Sequence, residues 1–141
     1  MTFEGRNATV VHKHSVAIAA TDFDALGALD TSEVLNLGAA LPADARIVGV
    51  NIKLTTPFTG GGNVSVTVDI GSAGDPDGLI DGADLFAAAV DGQVSTAPAG
   101  ISPHKHFSAS TQLTGTFVAS TGLAELTAGA GTIEILYSVL A

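Results

Sequence analysis

The stretch "RIVGVNIKLTTPFTGGGNVSVTVDIG", residues 46–71, decides the fold. Its first part alternates, with Ile47, Gly49, Asn51 and Lys53 on one face and Val48, Val50, Ile52 and Leu54 on the other. Strict alternation over such a length describes a strand with one face buried, because successive side chains of a strand point to opposite sides. The second part repeats the signal, with Val64, Val66, Val68 and Ile70 predicted inward and Ser65, Thr67 and Asp69 outward. The intervening "TGGGN", residues 59–63, is a flexible connection. Residues 46–57 and 63–71 are therefore expected to pair as an antiparallel hairpin around a glycine-rich loop.

Working outward, the same β-type runs recur. Residues 8–20, "ATVVHKHSVAIAA", and residues 31–38, "TSEVLNLG", read as two earlier strands, and a Pro-Ala-Asp-Ala turn opens the third. "HFSASTQLTGTFVAS" and "GTIEILYSVLA" read as two final strands, the last alternating Ile133, Ile135 and Tyr137 with Glu134, Leu136 and Ser138. "DGADLFAAAV", residues 81–90, is expected to form one short helix, with Asp81 as N-cap and the alanines favouring it. Roughly seven or eight short strands separated by turns imply an all-β protein, a β-sandwich of jelly-roll type with one short helix. No internal repeat or boundary breaks the chain, so residues 1–141 read as a single domain, with residues 1–7 as a flexible N-terminal arm.

Composition narrows the function classes. Charged residues are 13% of the 141, against a usual share of about 25%, and 17 glycines accompany many alanines. Such a chain suits close packing against copies or partners. The formal charge of −9, from 14 acidic and 5 basic residues, disfavours nucleic acid and anionic lipid as partners. Cysteine is absent, so there are no disulfides. The opening "MTFEGRNATVVHKHS" lacks the apolar run of a secretory signal, and no segment approaches the roughly 18 apolar residues of a spanning helix.

Two constellations could carry chemistry. "DIGSAGDPDGLIDGADLF", residues 69–86, gathers five aspartates and four glycines. Set against a twelve-residue calcium loop, Asp75, Asp77, Asp81 and Asp84 fall at ligand positions and Gly78 at the turn. Position one, however, falls on Ala73, which has no side-chain oxygen, and Pro76 interrupts the loop. The other reading is a β-turn at Asp75-Pro76-Asp77-Gly78, with proline at its second position and glycine at its fourth. Both readings stand at this point. Paired carboxylates for acid–base work on sugars lack support, since the chain has no Trp and a single Tyr.

The four histidines form the second constellation, two copies of "HKH" at His12–His14 and His104–His106. On a strand each pair shares a face and is a potential metal clip. The competing reading, which Lys13 and Lys105 favour, is a basic contact patch for an acidic neighbour. No Ser-His-Asp context, cysteine nucleophile or phosphate loop is present; "TGGGN" lacks the lysine and following helix of a P-loop. The chain is expected not to be an enzyme.

The run from Leu41 to Leu85, "LPADARIVGVNIKLTTPFTGGGNVSVTVDIGSAGDPDGLIDGADL", resembles a pattern found in small structural proteins of tailed bacteriophages. In that pattern "LPAGARIVGV"-like text opens a strand, a glycine-rich loop follows, and "VDIG…GDPDGLID" closes the next strand. It is similar to virion proteins of the jelly-roll kind, including capsid decoration (cement) proteins, which usually act as trimers on the outer shell. The resemblance implies a structural role on the capsid surface, a homotrimer, the major capsid protein as partner, assembly in the host cytoplasm, and no catalytic residues. The alternative function is a tail-associated or surface-binding module that recognises a host ligand, with calcium at the aspartate loop.

Overall fold

The computed structural model describes residues 10–86, the backbone of 92–95, and 105–139. Nine strands are found among them: β1 (Val11–Ala19), β2 (Ser32–Asn36), β3 (Ala45–Thr59), β4 (Val66–Ser72), β5 (Asp75–Asp84), β6 (Gly92–Ser95), β7 (His106–Phe107), β8 (Leu113–Ala119) and β9 (Ala128–Val139). The first sheet runs β1-β9-β3-β6, with β7 also on β3, and the second runs β2-β8-β4-β5. Every pairing is antiparallel. Strands β6 and β7 share one side of β3, against residues 52–54 and 45–46 respectively, so together they fill one strand's place. Four strand positions per sheet, wrapped in this order, are the jelly roll expected from the sequence.

Only β4 and β5 are both neighbours in sequence and partners in a sheet. The hairpin expected between residues 46–57 and 63–71 is not formed, because β3 lies in the first sheet and β4 in the second. The connection is an arch across the core. Gly60, Gly61 and Gly62 all take positive φ, and a side chain on Gly60 or Gly61 would run into residues 125–127. The glycines allow the chain to leave one sheet and enter the other beneath the β8–β9 connection.

The two sheets share one apolar interior. Ile18, Ile47, Val50, Ile52, Leu54, Phe58, Ile133 and Ile135 come from the first; Val66, Val68, Ile70, Ile80, Leu113 and Phe117 come from the second. Phe23, on a 3-10 turn at Ala20–Phe23, closes the interior against Phe117 with ring centroids 5.1 Å apart. The alternation read for β4 holds at Val66, Val68 and Ile70, but Val64 lies before the strand and is exposed. In β3 the alternation is displaced. Ile47 pairs with Tyr137 and Gly49 with Leu136, so Val48 is an extra residue that bulges to the surface. Ile47 therefore points inward with Val50, Ile52 and Leu54, opposite to its assignment by strict alternation.

The helix expected over residues 81–90 is not seen where the structure describes it. Asp81 to Asp84 belong to β5, and residues 87–90 lie outside the described residues. Pairing with β4 and burial of Ile80 and Leu85 hold Asp81 to Asp84 extended. No helix among the described residues is long and apolar enough to cross a membrane.

Candidate functional site

The aspartate-rich stretch forms the edge of the second sheet. The hairpin turns at Ala73-Gly74, since Ser72 pairs with Asp75, and residues 76–79 then leave the ladder in an excursion that brings Gly78 back against Asp75, where the β-turn was expected. Ile70 pairs with Ile80, leaving Gly71 opposite the whole excursion of residues 76–79. Val68 pairs with Ala83, leaving Asp69 opposite Asp81 and Gly82. Gly82 takes a φ of 67°, and its N–H donates to Asp69 Oδ1 at 2.6 Å. Asp69 thus holds the second bulge in place.

The carboxylates proposed as calcium ligands are dispersed along this edge. Asp75 Oδ2 lies 3.7 Å from Lys105 Nζ, Asp84 Oδ1 accepts the N–H of Phe86 at 2.7 Å, and Asp77 and Asp81 are exposed. Among the described residues no three His, Cys, Asp or Glu side chains gather as a metal site. A charged, bulged, proline-bearing strand at a sheet margin has a physical role without an ion. Its unpaired backbone groups would otherwise accept a strand from another chain, and charge, proline and bulges each obstruct that pairing.

The described histidines of the two copies, His12 and His14 on β1 and His106 on β7, do not meet. β1 pairs with β9, β9 with β3 and β3 with β7, which puts three strand spacings, about 14 Å, between β1 and β7. His104 lies outside the described residues. His12 stacks on Tyr137 at 5.2 Å, His14 Nε2 donates to the Leu37 carbonyl at 3.0 Å, and His106 Nε2 lies 3.2 Å from Asp44 Oδ1. Each described histidine has its own local partner.

A polar cluster missed by motif reading lies on the outer face of the first sheet. Glu134, at the centre of β9, is largely buried beneath Lys13 of β1 at 3.4 Å and Lys53 of β3 at 3.2 Å. Hydrogen bonding from Lys53, then from Lys13, holds its carboxyl below the ordinary value of 4.5, outweighing the opposing effect of desolvation. The signal was present as outward positions on three strands, but their adjacency depends on β9 lying between β1 and β3. Sequence order does not show this.

Charge is segregated between the sheets. Strands of the first carry Lys13, Arg46 and Lys53 against one acid, Glu134. Strands of the second carry Glu33, Asp69, Asp75, Asp77, Asp81 and Asp84 and no Lys or Arg. Lys105, immediately before β7, bridges the two through Asp75.

No protein-family model matches the chain, and no curated protein matches it in sequence. Solved structures do match in fold. A chain of the cyanophage Pam1 capsid asymmetric unit superimposes with a TM-score of 0.64 at 15% identity, over 95% of this chain and 88% of that one. A chain of the Ralstonia phage GP4 capsid gives 0.60 at 17% identity, over 96% and 86%. A chain of the acid-stable capsid of Helicobacter pylori bacteriophage KHP30 gives 0.56 at 15% identity, over 94% and 90%. The strand wrap of this molecule is one that chains of three phage capsid structures share.

Proposed function

We infer that the protein is a bacteriophage virion structural protein, a capsid decoration (cement) component that binds the assembled shell of the major capsid protein as a homotrimer. The observation that carries this reading is the extent of the structural likeness. It spans 94–96% of this chain and 86–90% of each capsid chain, so those chains are of about this size. The likeness is to whole small capsid components, not to a domain within larger ones. A rigid sandwich with a guarded margin at β5 suits a part that adds contact area to a shell without extending its sheet by strand pairing at that edge.

The reading is tested by quantitative mass spectrometry of purified particles from the phage that carries the gene. Decoration predicts a copy number comparable to that of the major capsid subunit, and loss of the protein should leave shells that break at lower temperature. A copy number of only a few per particle would replace it with the tail-associated reading. Absence from the particle would overturn both.

A further inference from the structure

The geometry points to a heterologous contact between copies of this chain: the basic outer face of the first sheet docks on the acidic outer face and β5 edge of the second sheet of another copy. This rests on the oligomeric reading above and supplies the surface by which the oligomer forms.

The docking face has an apolar centre and a basic rim. Leu136 sits between Lys13, its direct partner on β1, and Gly49, its partner on β3, whose missing side chain lets Leu136 lie over the backbone there. Val48, pushed out by the bulge, is 44% exposed beside it. The ammonium-bearing side chains of Lys13 and Lys53 remain 59% and 58% exposed although both touch Glu134. Two cations on one carboxylate leave a net positive charge and unused N–H donors facing outward.

The complementary surface is on the same molecule. Across the second sheet, Ser32, Val118, Thr67 and Asp84 stand in one row, and Val34, Thr116 and Asp69 in the next. Val34 and Val118 are exposed, Asp81 continues the acidic margin, and no strand of this sheet bears a cation. Exposed valines therefore meet Val48 and Leu136 while aspartates meet lysines. Opposite potentials steer such an encounter and fix its orientation. Since the two surfaces differ, the contact is head-to-tail, and it closes into a ring only where its rotation allows.

The test is sedimentation equilibrium on the purified full chain with two charge-inverted variants, each first shown by circular dichroism melting to fold. Lys13→Glu/Lys53→Glu/Glu134→Lys inverts the basic face while keeping opposite charges adjacent. Asp77→Lys/Asp81→Lys inverts the acidic margin at two exposed carboxylates. Self-association of the unmodified chain should weaken roughly tenfold or more between about 0.05 and 0.5 M sodium chloride. Each variant alone should be monomeric, and an equimolar mixture should associate, because each then presents what the other lacks. If the triple variant does not fold, the aspartate variant decides alone: a monomer supports the contact and unchanged association overturns it. Association of either variant like the unmodified chain, or a mixture no larger than its parts, overturns it. A monomeric unmodified chain at low salt also overturns it, yet leaves the capsid reading to its copy-number test. A salt-sensitive oligomer absent from particles supports the contact and removes the capsid reading.

Discussion

The two ends of the sandwich are closed by different chemistry. At one end the β1–β2, β3–β4 and β8–β9 connections meet around Asn63, which is 6% exposed. Its amide donates to the carbonyls of Gly60 and Gly122, and its carbonyl oxygen accepts the N–H groups of Thr121 and Gly122, all between 2.7 and 3.1 Å. Backbone bonds from Leu123 to Asp30 and from Thr127 to Thr59 complete the closure. At the other end the β2–β3, β4–β5 and β7–β8 connections are joined by His14 on Leu37, His106 on Asp44, Lys105 on Asp75, and Gln112 on the Gly38 carbonyl. One end depends on a single buried amide with every group satisfied. The other combines the backbone pair Leu41–Thr111 with side-chain links that are half-buried or exposed, and these are worth less individually because water competes for them.

Asn63→Ala should break that contrast most severely. It strands the N–H groups of Thr121 and Gly122 in a buried site, which costs about 3 kcal/mol, read as a fall of roughly 10 °C in Tm by calorimetry. His14→Ala, at the opposite end, removes one half-buried hydrogen bond and should cost about 1 kcal/mol in urea denaturation. Lys105→Ala with His106→Ala removes both of these surface side-chain links and should cost less than about 1 kcal/mol in the same measurement. A double substitution as damaging as Asn63→Ala would erase the distinction between the ends.

Acid acts on the middle of the first sheet. Because the folded carboxyl of Glu134 titrates below 4.5, its contribution is fully present above that value and is lost as pH falls through the lower folded value. Lys53→Met removes the largest cause of the lowering, so the Glu134 carboxyl should titrate closer to 4.5 by carbon-detected NMR. The smallest effect is expected from chelation. EDTA should leave Tm unchanged, and a fall reversed by calcium would instead place a cation among Asp75, Asp77, Asp81 and Asp84.

These features differ in how far they could be read from sequence. Strand existence at Val66–Ser72 and over most of Ala45–Thr59 followed from alternation, which one buried face imposes locally. The bulge at Val48 did not, since an extra residue is defined only against its partner on β9. Pairing of β3 with β4 was the natural expectation for two strands separated by "TGGGN", but three glycines permit an arch as readily as a hairpin. Burial of Phe58 on one side and Val66 on the other favours the arch. Of the site, the aspartates were visible as a cluster and their setting as a sheet margin was not. Asn63 read as part of a flexible loop, although it is among the most buried polar residues described.

The placement of β9 bears on how the molecule comes into being. The last of the described strands lies between β1 and β3, which bind nothing of each other directly. On the ribosome, residues 11–59 therefore emerge long before the strand that joins them. The first sheet cannot close until residues 128–139 have cleared the exit tunnel. Contacts so distant along the chain are slow to form, and an incomplete chain presents open strand margins meanwhile. Emergence of residues 128–139, more than any early nucleus within residues 11–59, should then set the moment at which the first sheet closes and a copy becomes competent to assemble.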